Sequence, residues 1–146
     1  MNKTHATKAK EITRTWHIID AKGQILGRMT TDIAKLLIGK DKVNFSSHLD
    51  NGDYVVVINA KEVAVTGNKE MDKKYYRYSG YPSGLTVLRL EEVREKYPDR
   101  IIRTAVSGMF PKNKLRDVRL ARLKVYADST HPHINHFQKI KTEETA

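Results

Sequence analysis

The sequence of 146 residues is strongly basic, with 27 lysines and arginines against 17 aspartates and glutamates and a net charge of +10 when the histidines are neutral. Such an excess favours a polyanionic partner and says nothing about the fold. Because the chain contains no cysteine, a disulfide framework, a thiol nucleophile and a cysteine-ligated metal are excluded.

The two ends of the chain differ in composition from its middle. Residues 1–14 are polar and basic without hydrophobic periodicity, which predicts a flexible basic arm. They contain no apolar block of the kind that a secretory signal requires. A single α/β domain is predicted over 15–128, and the polar, histidine-rich residues 129–146 are predicted to form an irregular tail. The longest strongly apolar run, Tyr54–Ile58, is far shorter than the ~20 residues that span a bilayer, so no membrane partner is expected.

The ordered part is predicted to begin with a strand at Thr15–Asp20. Apolar residues then recur at helical spacing over Ile25–Leu37, and Gly39 is the predicted end of this helix. A polar link, 40–53, leads to Tyr54–Ala60, which is continuously apolar and rich in β-branched residues. Such a strand is buried on both faces, as in a parallel sheet covered by helices. The order of strand, helix and strand therefore predicts a βαβ unit and an α/β fold.

The second half of the chain is predicted to mix short strands and helices. Residues 63–79 are predicted to be irregular or edge-like, up to a loop at Gly80–Gly84. Beyond this loop, the predicted elements are an extended piece at 85–90, a helical turn at 90–97 that Pro98 ends, helices at 100–107 and 114–121, and a strand at 123–126.

The turn between the first strand and the first helix contains Gly23 and Gly27, with Arg28 following. Glycine-containing turns at this position often bind nucleotides, but the spacing fits neither the P-loop nor the dinucleotide fingerprint. The alternative is a tight turn in which Gly27 allows the helix to pack closely on the sheet. Under either interpretation, Arg28 is predicted to lie on the exposed helix face and to contact a phosphate.

A second candidate segment, Met71–Tyr81, contains four of the seven tyrosines beside three cations. Cations bind phosphate, and tyrosine rings stack on bases or riboses. The glycines of the adjacent loop also allow close approach of the backbone to a ligand. The alternative is that one set of tyrosines packs on the core while the cations are solvated.

A third candidate is the basic segment from Lys112 to Lys124. Its arginines follow one another at intervals of three residues, a spacing that forms a basic stripe on a helix. The sequence predicts an outward, phosphate-binding stripe; the alternative is a solvated helix face. The predicted stripe consists of Arg116, Arg119 and Arg122, with Leu115, Val118 and Ala121 turned to the core.

The remaining polar clusters give no catalytic constellation. His131, His133 and His136 suggest a metal, but no acidic ligand accompanies them. His48 lies near two aspartates, without a serine in a nucleophile-elbow context. We therefore expect no catalytic activity, no cofactor, no metal and no small-molecule substrate. Two rival functions remain open, namely a duplex DNA-binding module and an enzyme that uses the Gly23–Arg28 turn with Asp20 or His48 as its acid/base.

Several runs of residues, in order along the chain, resemble the universal large-subunit ribosomal protein thirteen family in its bacterial form. The similarity extends from Trp16 to His133. The matching runs are Trp16–Ala21, Leu26–Arg28, His48–Tyr54, Asn59–Ala60, Val63–Lys69, Tyr75–Tyr76, Gly108–Lys112 and Leu123–Ala127.

This resemblance implies a three-layer α/β/α fold around a mainly parallel, four-stranded sheet. It also implies a structural constituent of the ribosome that binds large-subunit rRNA early in assembly, beside other large-subunit proteins. A cytoplasmic location in the ribosome is expected, with an organellar ribosome as the alternative. The candidate rRNA-binding residues are Arg28, Lys40, Lys42, His48, Lys69, Lys73, Lys74, Tyr75, Tyr76, Arg77, Tyr81, Lys112, Lys114, Arg116, Arg119, Arg122 and Lys124.

Overall fold

The computed structural model describes residues 7–137, so residues 1–6 of the predicted arm and 138–146 of the predicted tail lie outside it. No helix in the described range is both long and apolar enough to cross a membrane. The strands are β1 (Trp16–Asp20), β2 (Tyr54–Ile58), β3 (Lys74–Tyr78), β4 (Leu85–Arg89) and β5 (Leu123–Val125). The helices are α1 (Leu26–Ile38), α2 (Lys69–Asp72), α3 (Leu90–Lys96), α4 (Pro98–Met109) and α5 (Leu115–Ala121).

The predicted βαβ unit is confirmed. Strands β1 and β2 pair in parallel, with Trp16 opposite Tyr54, and α1 connects them. The helix ends at Gly39, whose φ of +80° is readily adopted only by glycine and whose N–H donates to the Lys35 carbonyl at 2.8 Å. Strand β2 is central in the order β1-β2-β5, which explains why its middle residues are buried on both faces.

The prediction of a four-stranded parallel sheet was wrong in its strand number. The parallel sheet contains three strands. One further parallel pairing in the described range is an isolated bridge between Ile25 and Ala64. Because the order β1-β2-β5 extends in one direction, right-handed crossovers place both connections on the same face of the sheet. Val55, Val57 and Leu123 belong to the hydrophobic core on that face, together with residues of α1, α3 and α4.

The opposite face of the sheet carries an aromatic stack where the implied three-layer fold would place helices. Trp16 stacks on its strand neighbour Tyr54 at 4.4 Å between ring centroids and on His136 at 4.2 Å. His133 and Phe137 also contact the Trp16 ring. Residues 131–137 therefore cover the Trp16 end of this face. The division into arm, domain and tail stays a prediction.

A β-hairpin joins the segment predicted to be irregular or edge-like, which contains β3, to the predicted extended piece at 85–90, which contains β4. Strands β3 and β4 pair antiparallel, with Tyr75 opposite Leu88 and Tyr78 opposite Leu85. The hairpin is separate from the parallel sheet. Alternation along β3 turns Tyr75 to the core and leaves Tyr76 and Tyr78 exposed.

Helix α5 lies where the sequence predicts it, but the predicted orientation of its faces was wrong. Arg119 and Arg122 are buried, whereas Val118 is 52% exposed. The reason lies in the link 40–53, which brings Asp50 under the helix and compensates the arginine charges there. In the preceding region, Pro98 follows the end of α3 and occupies the first position of α4, a position that its missing N–H favours.

Candidate nucleic-acid interface

Asp50 organises the buried arginines. Both side-chain Nη atoms of Arg122 donate to the Asp50 carboxylate, Nη2 at 2.6 Å, and Nη2 also donates to the Leu37 carbonyl at 3.1 Å. Arg119 Nε lies 3.6 Å from Asp50 Oδ1. Burial alone would raise the pKa of Asp50, but the hydrogen bond and charge of Arg122 hold it below its usual value. Both arginines are thus buried beside Asp50.

Asp53 forms a second ion cluster at the start of β2. Its Oδ1 accepts from Lys42 Nζ at 2.5 Å and from the Thr15 backbone N–H at 2.9 Å, and its Oδ2 lies 3.0 Å from His17 Nε2. Burial by itself would raise the pKa of Asp53, and the Lys42 hydrogen bond, followed by those from Thr15 and His17, lowers it. Asp53 therefore joins Lys42 of the link 40–53 to Thr15 and His17 at the start of β1.

The other candidate residues differ in their access to solvent. Tyr75 is buried, as the packing alternative expects of one set of tyrosines, so its ring is not available for stacking. The prediction that Arg119 and Arg122 face outward was wrong. Lys42, Lys73, Arg116 and Lys124 are half-buried, and Arg116 donates to Ser107 Oγ. The exposed candidates are Arg28, Lys40, His48, Lys69, Lys74, Tyr76, Arg77, Tyr81, Lys112 and Lys114.

Tertiary structure brings three of the candidate cations to one groove. Arg28 at the start of α1, Lys69 in α2 and Lys73 line a groove of about 880 Å³. Lys73 Nζ also lies 5.4 Å from the centre of the Tyr75 ring, a cation–π contact. The Gly23–Arg28 turn and the Met71–Tyr81 segment thus meet at this groove, although 41 or more residues separate Arg28 from its partners in sequence.

A second cleft, of about 350 Å³, lies between the hairpin and helices α3 and α4. Arg77 from β3 meets Lys96 and Arg100 there. Sequence reasoning missed the last two cations because each lies on a helix with a mixed charge pattern, and no local signal distinguishes them. A third cleft, of about 570 Å³, contains Lys40 with Pro111 and Asn113 of the α4–α5 loop.

The groups that the enzyme interpretation requires are not assembled at the groove. Asp20 accepts from the Lys22 N–H at 2.9 Å and from Asn59 Nδ2 at 2.8 Å, and these hydrogen bonds lower its pKa. It is therefore an ionised turn-stabilising group. His48 bonds Ser46 Oγ at 2.9 Å. Neither lines the groove beside Gly27 and Arg28.

No group of three histidine, aspartate or glutamate side chains within 7–137 is arranged to hold a metal ion. The histidines of the tail contact aromatic rings instead: His131 lies 6.2 Å from Tyr126, and His133 lies 5.1 Å from Trp16.

Comparison with known proteins identifies the family to which the chain belongs. A family model described as Ribosomal protein L13 matches residues 14–132. The Large ribosomal subunit protein uL13 of Burkholderia pseudomallei (strain K96243) is 48% identical over 131 residues, which cover 90% of this chain and 92% of the relative. The protein of the same name from Burkholderia vietnamiensis is 47% identical over the same coverage. The chain therefore belongs to the ribosomal protein L13 family, whose members are structural, non-enzymatic proteins of the large ribosomal subunit.

Proposed function

We propose that this protein binds large-subunit rRNA as a rigid cationic body and supports early assembly of the subunit. The observation that carries this proposal is the distribution of exposed cations over three clefts around one core. The groove and the hairpin cleft each combine cations from elements that are distant in sequence, so that folding fixes their spacing. Folded RNA is recognised by such fixed spacing of phosphate contacts and by its shape.

The proposed contacts exclude the buried candidates. Tyr76 and Tyr81 provide exposed rings for stacking, while the cations neutralise phosphates and release counterions. Half-buried Lys73 is included because it lines the groove, and Lys96 and Arg100 are added because they line the hairpin cleft. The proposed cationic contacts are Arg28, Lys40, Lys69, Lys73, Lys74, Arg77, Lys96, Arg100, Lys112 and Lys114.

The outer face of the hairpin supports a protein neighbour in the same particle. Tyr78 lies opposite Leu85, and these two residues with Val87 are between 43% and 65% exposed. Contiguous apolar surface of this kind marks interaction sites. We assign it to contact with another large-subunit protein within the ribosome.

Two measurements test the proposal. In a sucrose gradient of cell lysate, the protein should sediment with the large subunit and its assembly intermediates, whereas a chain found mainly in the light fractions contradicts the assignment. In matched salt, the purified protein should bind large-subunit rRNA more tightly than duplex DNA. Equal affinities would favour the DNA-binding alternative, and micromolar binding of ATP that Asp20→Asn abolishes would favour the enzyme.

A further inference from the structure

The groove between the start of α1 and the segment 65–73 has an apolar floor and a cationic rim. Leu26 is buried, Val65 and Ala105 are half-buried, and Met109 is 42% exposed along the floor. The rim cations Arg28 and Lys69 are exposed, and the half-buried Lys73 stands beside them. A surface that only neutralises phosphates needs no apolar floor, so this combination calls for a ligand with two chemically distinct parts.

The charges of the groove are unbalanced. Arg28, Lys69 and Lys73 face a single acidic lining residue, Asp72. None of the three cations forms a salt bridge within the part of the chain that the structure describes. The rim is therefore complementary to an anion that the folded chain does not itself supply.

We propose that this groove holds an unpaired nucleotide of large-subunit rRNA, with the base on the apolar floor and the flanking phosphates on the rim. This inference rests on the proposed function and deepens it. A duplex turns its bases inward and would leave the floor in contact with water, whereas an unpaired nucleotide buries its base and keeps its phosphates at the surface. The volume of about 880 Å³ lies within the range of roughly 300–1,000 Å³ for ligand clefts.

Gly27 gives a direct test because it lines the groove without filling it. A Cβ added at Gly27 meets no atom within 4 Å, and its φ is not positive. Gly27→Ala therefore keeps both the fold and most of the groove, while Gly27→Leu projects a larger side chain into the space assigned to the base. Thr104→Leu, at an exposed position of α4 outside the groove, is the matched control for added surface hydrophobicity.

The experiment measures the Kd of the full chain for large-subunit rRNA at one salt concentration, with far-UV circular dichroism of each variant. We expect Gly27→Leu to weaken binding about tenfold, an effect of the size that loss of one base-stacking contact produces. Gly27→Ala and Thr104→Leu should bind within about twofold of wild type, because neither removes a base contact. Ultraviolet cross-linking of the wild-type complex, mapped by mass spectrometry, should place an unpaired nucleotide on Val65 or Met109.

Each alternative outcome is decisive. Wild-type rRNA affinity in a folded Gly27→Leu variant, with cross-links only outside the groove, overturns the inference and leaves the proposed function intact. Cross-links to base-paired nucleotides at the rim also overturn it. Absence of wild-type rRNA binding overturns both. If AMP alone binds at micromolar affinity and displaces no RNA, the groove takes a free nucleotide and the assignment to an RNA strand is wrong.

Discussion

Asp50 lies where the side chains of three arginines converge. Arg122 contacts both of its oxygens, Arg119 lies 3.6 Å from Oδ1, and Arg14 Nη2 lies 3.7 Å from Oδ2. The side chains of Asp50 and Arg122 are only 13% and 6% exposed. Removing one member of such a pair leaves the other charge buried without compensation. At the scale of single residues, charge balance in the interior therefore determines which arginines are buried and which are exposed.

Replacing Asp50 by asparagine should lower the free energy of unfolding by about 3 kcal/mol, because Arg122 keeps its buried charge and loses its counterion. Urea unfolding at neutral pH measures this loss. Asp32→Asn is the control, since Asp32 is exposed and pairs with Lys35 at 3.6 Å on the surface of α1. Its expected loss is below about 0.5 kcal/mol. Similar losses in the two variants would show that Asp50 has no special role.

The Asp50→Asn variant should also change the response to acid. The pKa of Asp50 is lowered in the folded state, so the unfolded chain binds the proton first as the pH falls. The stabilisation is complete above the ordinary pKa of ~3.9 and is lost as the pH falls through the lower folded-state pKa. The difference in stability between wild type and Asp50→Asn should therefore narrow below about pH 4. A difference that stays constant on acidification contradicts this account.

At the scale of elements, helix α5 shows that the packing of a helix determines which of its faces is exposed. On a two-turn helix, arginines at intervals of three residues share a face, but this spacing does not determine whether the face points inward or outward. The position of Asp50 turns Arg119 and Arg122 inward, while Lys112 and Lys114 before the helix stay exposed. The exposed charge expected to bind RNA in this region therefore lies at Lys112 and Lys114 rather than at Arg119 and Arg122.

Charge reversal separates cations that bind RNA from cations that stabilise the fold. Lys112→Glu with Lys114→Glu should weaken rRNA binding at least tenfold, roughly the effect of losing two phosphate contacts, and leave circular dichroism and unfolding unchanged. Arg119→Glu with Arg122→Glu should instead lose the folded structure, because each substitution adds a carboxylate beside the buried Asp50. If the Arg119/Arg122 variant folds and binds RNA more weakly than wild type, the predicted phosphate-binding stripe on the helix is correct.

The contact between Trp16 and residues 131–137 should depend on pH. Burial, then the charges of His136, Lys124 and His131, lower the pKa of His133. The detached segment therefore binds a proton before the docked one, so docking is complete above the ordinary pKa of about 6.5 and weakens as the pH falls below it. Because Trp16 is the sole tryptophan, its emission should shift to longer wavelength between about pH 7.5 and 5.5. The shift should shrink in His133→Asn, and an equal shift in that variant would exclude His133 as its cause.

The whole molecule distributes its charge rather than concentrating it in one patch. The exposed and half-buried cations of the groove, the hairpin cleft and the Lys40 cleft come from five elements or their flanking loops. Under the proposed function, this arrangement contacts several strands of RNA at once. Affinity then depends on the number of phosphates contacted, and specificity depends on their arrangement.

The logarithm of the rRNA affinity should fall linearly with the logarithm of the salt concentration, by roughly 0.7–0.9 per phosphate contacted. Lys69→Gln, which removes one rim cation, should reduce the slope by about one contact. Asp32→Asn should leave the slope unchanged, since it removes no cation. An rRNA affinity that is insensitive to salt would contradict the electrostatic basis of the proposal.

Local patterns were sufficient for β1, α1, β2, α5 and β5. Each of these elements has its own hydrophobic period or a continuous β-branched run, and Gly39 marks the end of α1 by its left-handed conformation. The hairpin was missed because aromatic and basic residues alternate in β3, whose pairing with β4 depends on residues beyond the intervening loop. Which helices pack against this hairpin also determines that Tyr75 is buried and that Lys96 and Arg100 line the hairpin cleft.

The sequence alone determined the α/β class, the family and the order of its main elements, since each follows from composition, periodicity or motifs within one stretch of chain. Tertiary structure alone decided which charges face outward and where the groove forms. It also decided that the parallel sheet has three strands instead of the expected four and that an aromatic segment packs on one of its faces. The physical reason is that burial of a charge or an aromatic ring depends on partners such as Asp50 and Trp16, which folding brings close from distant positions in the chain.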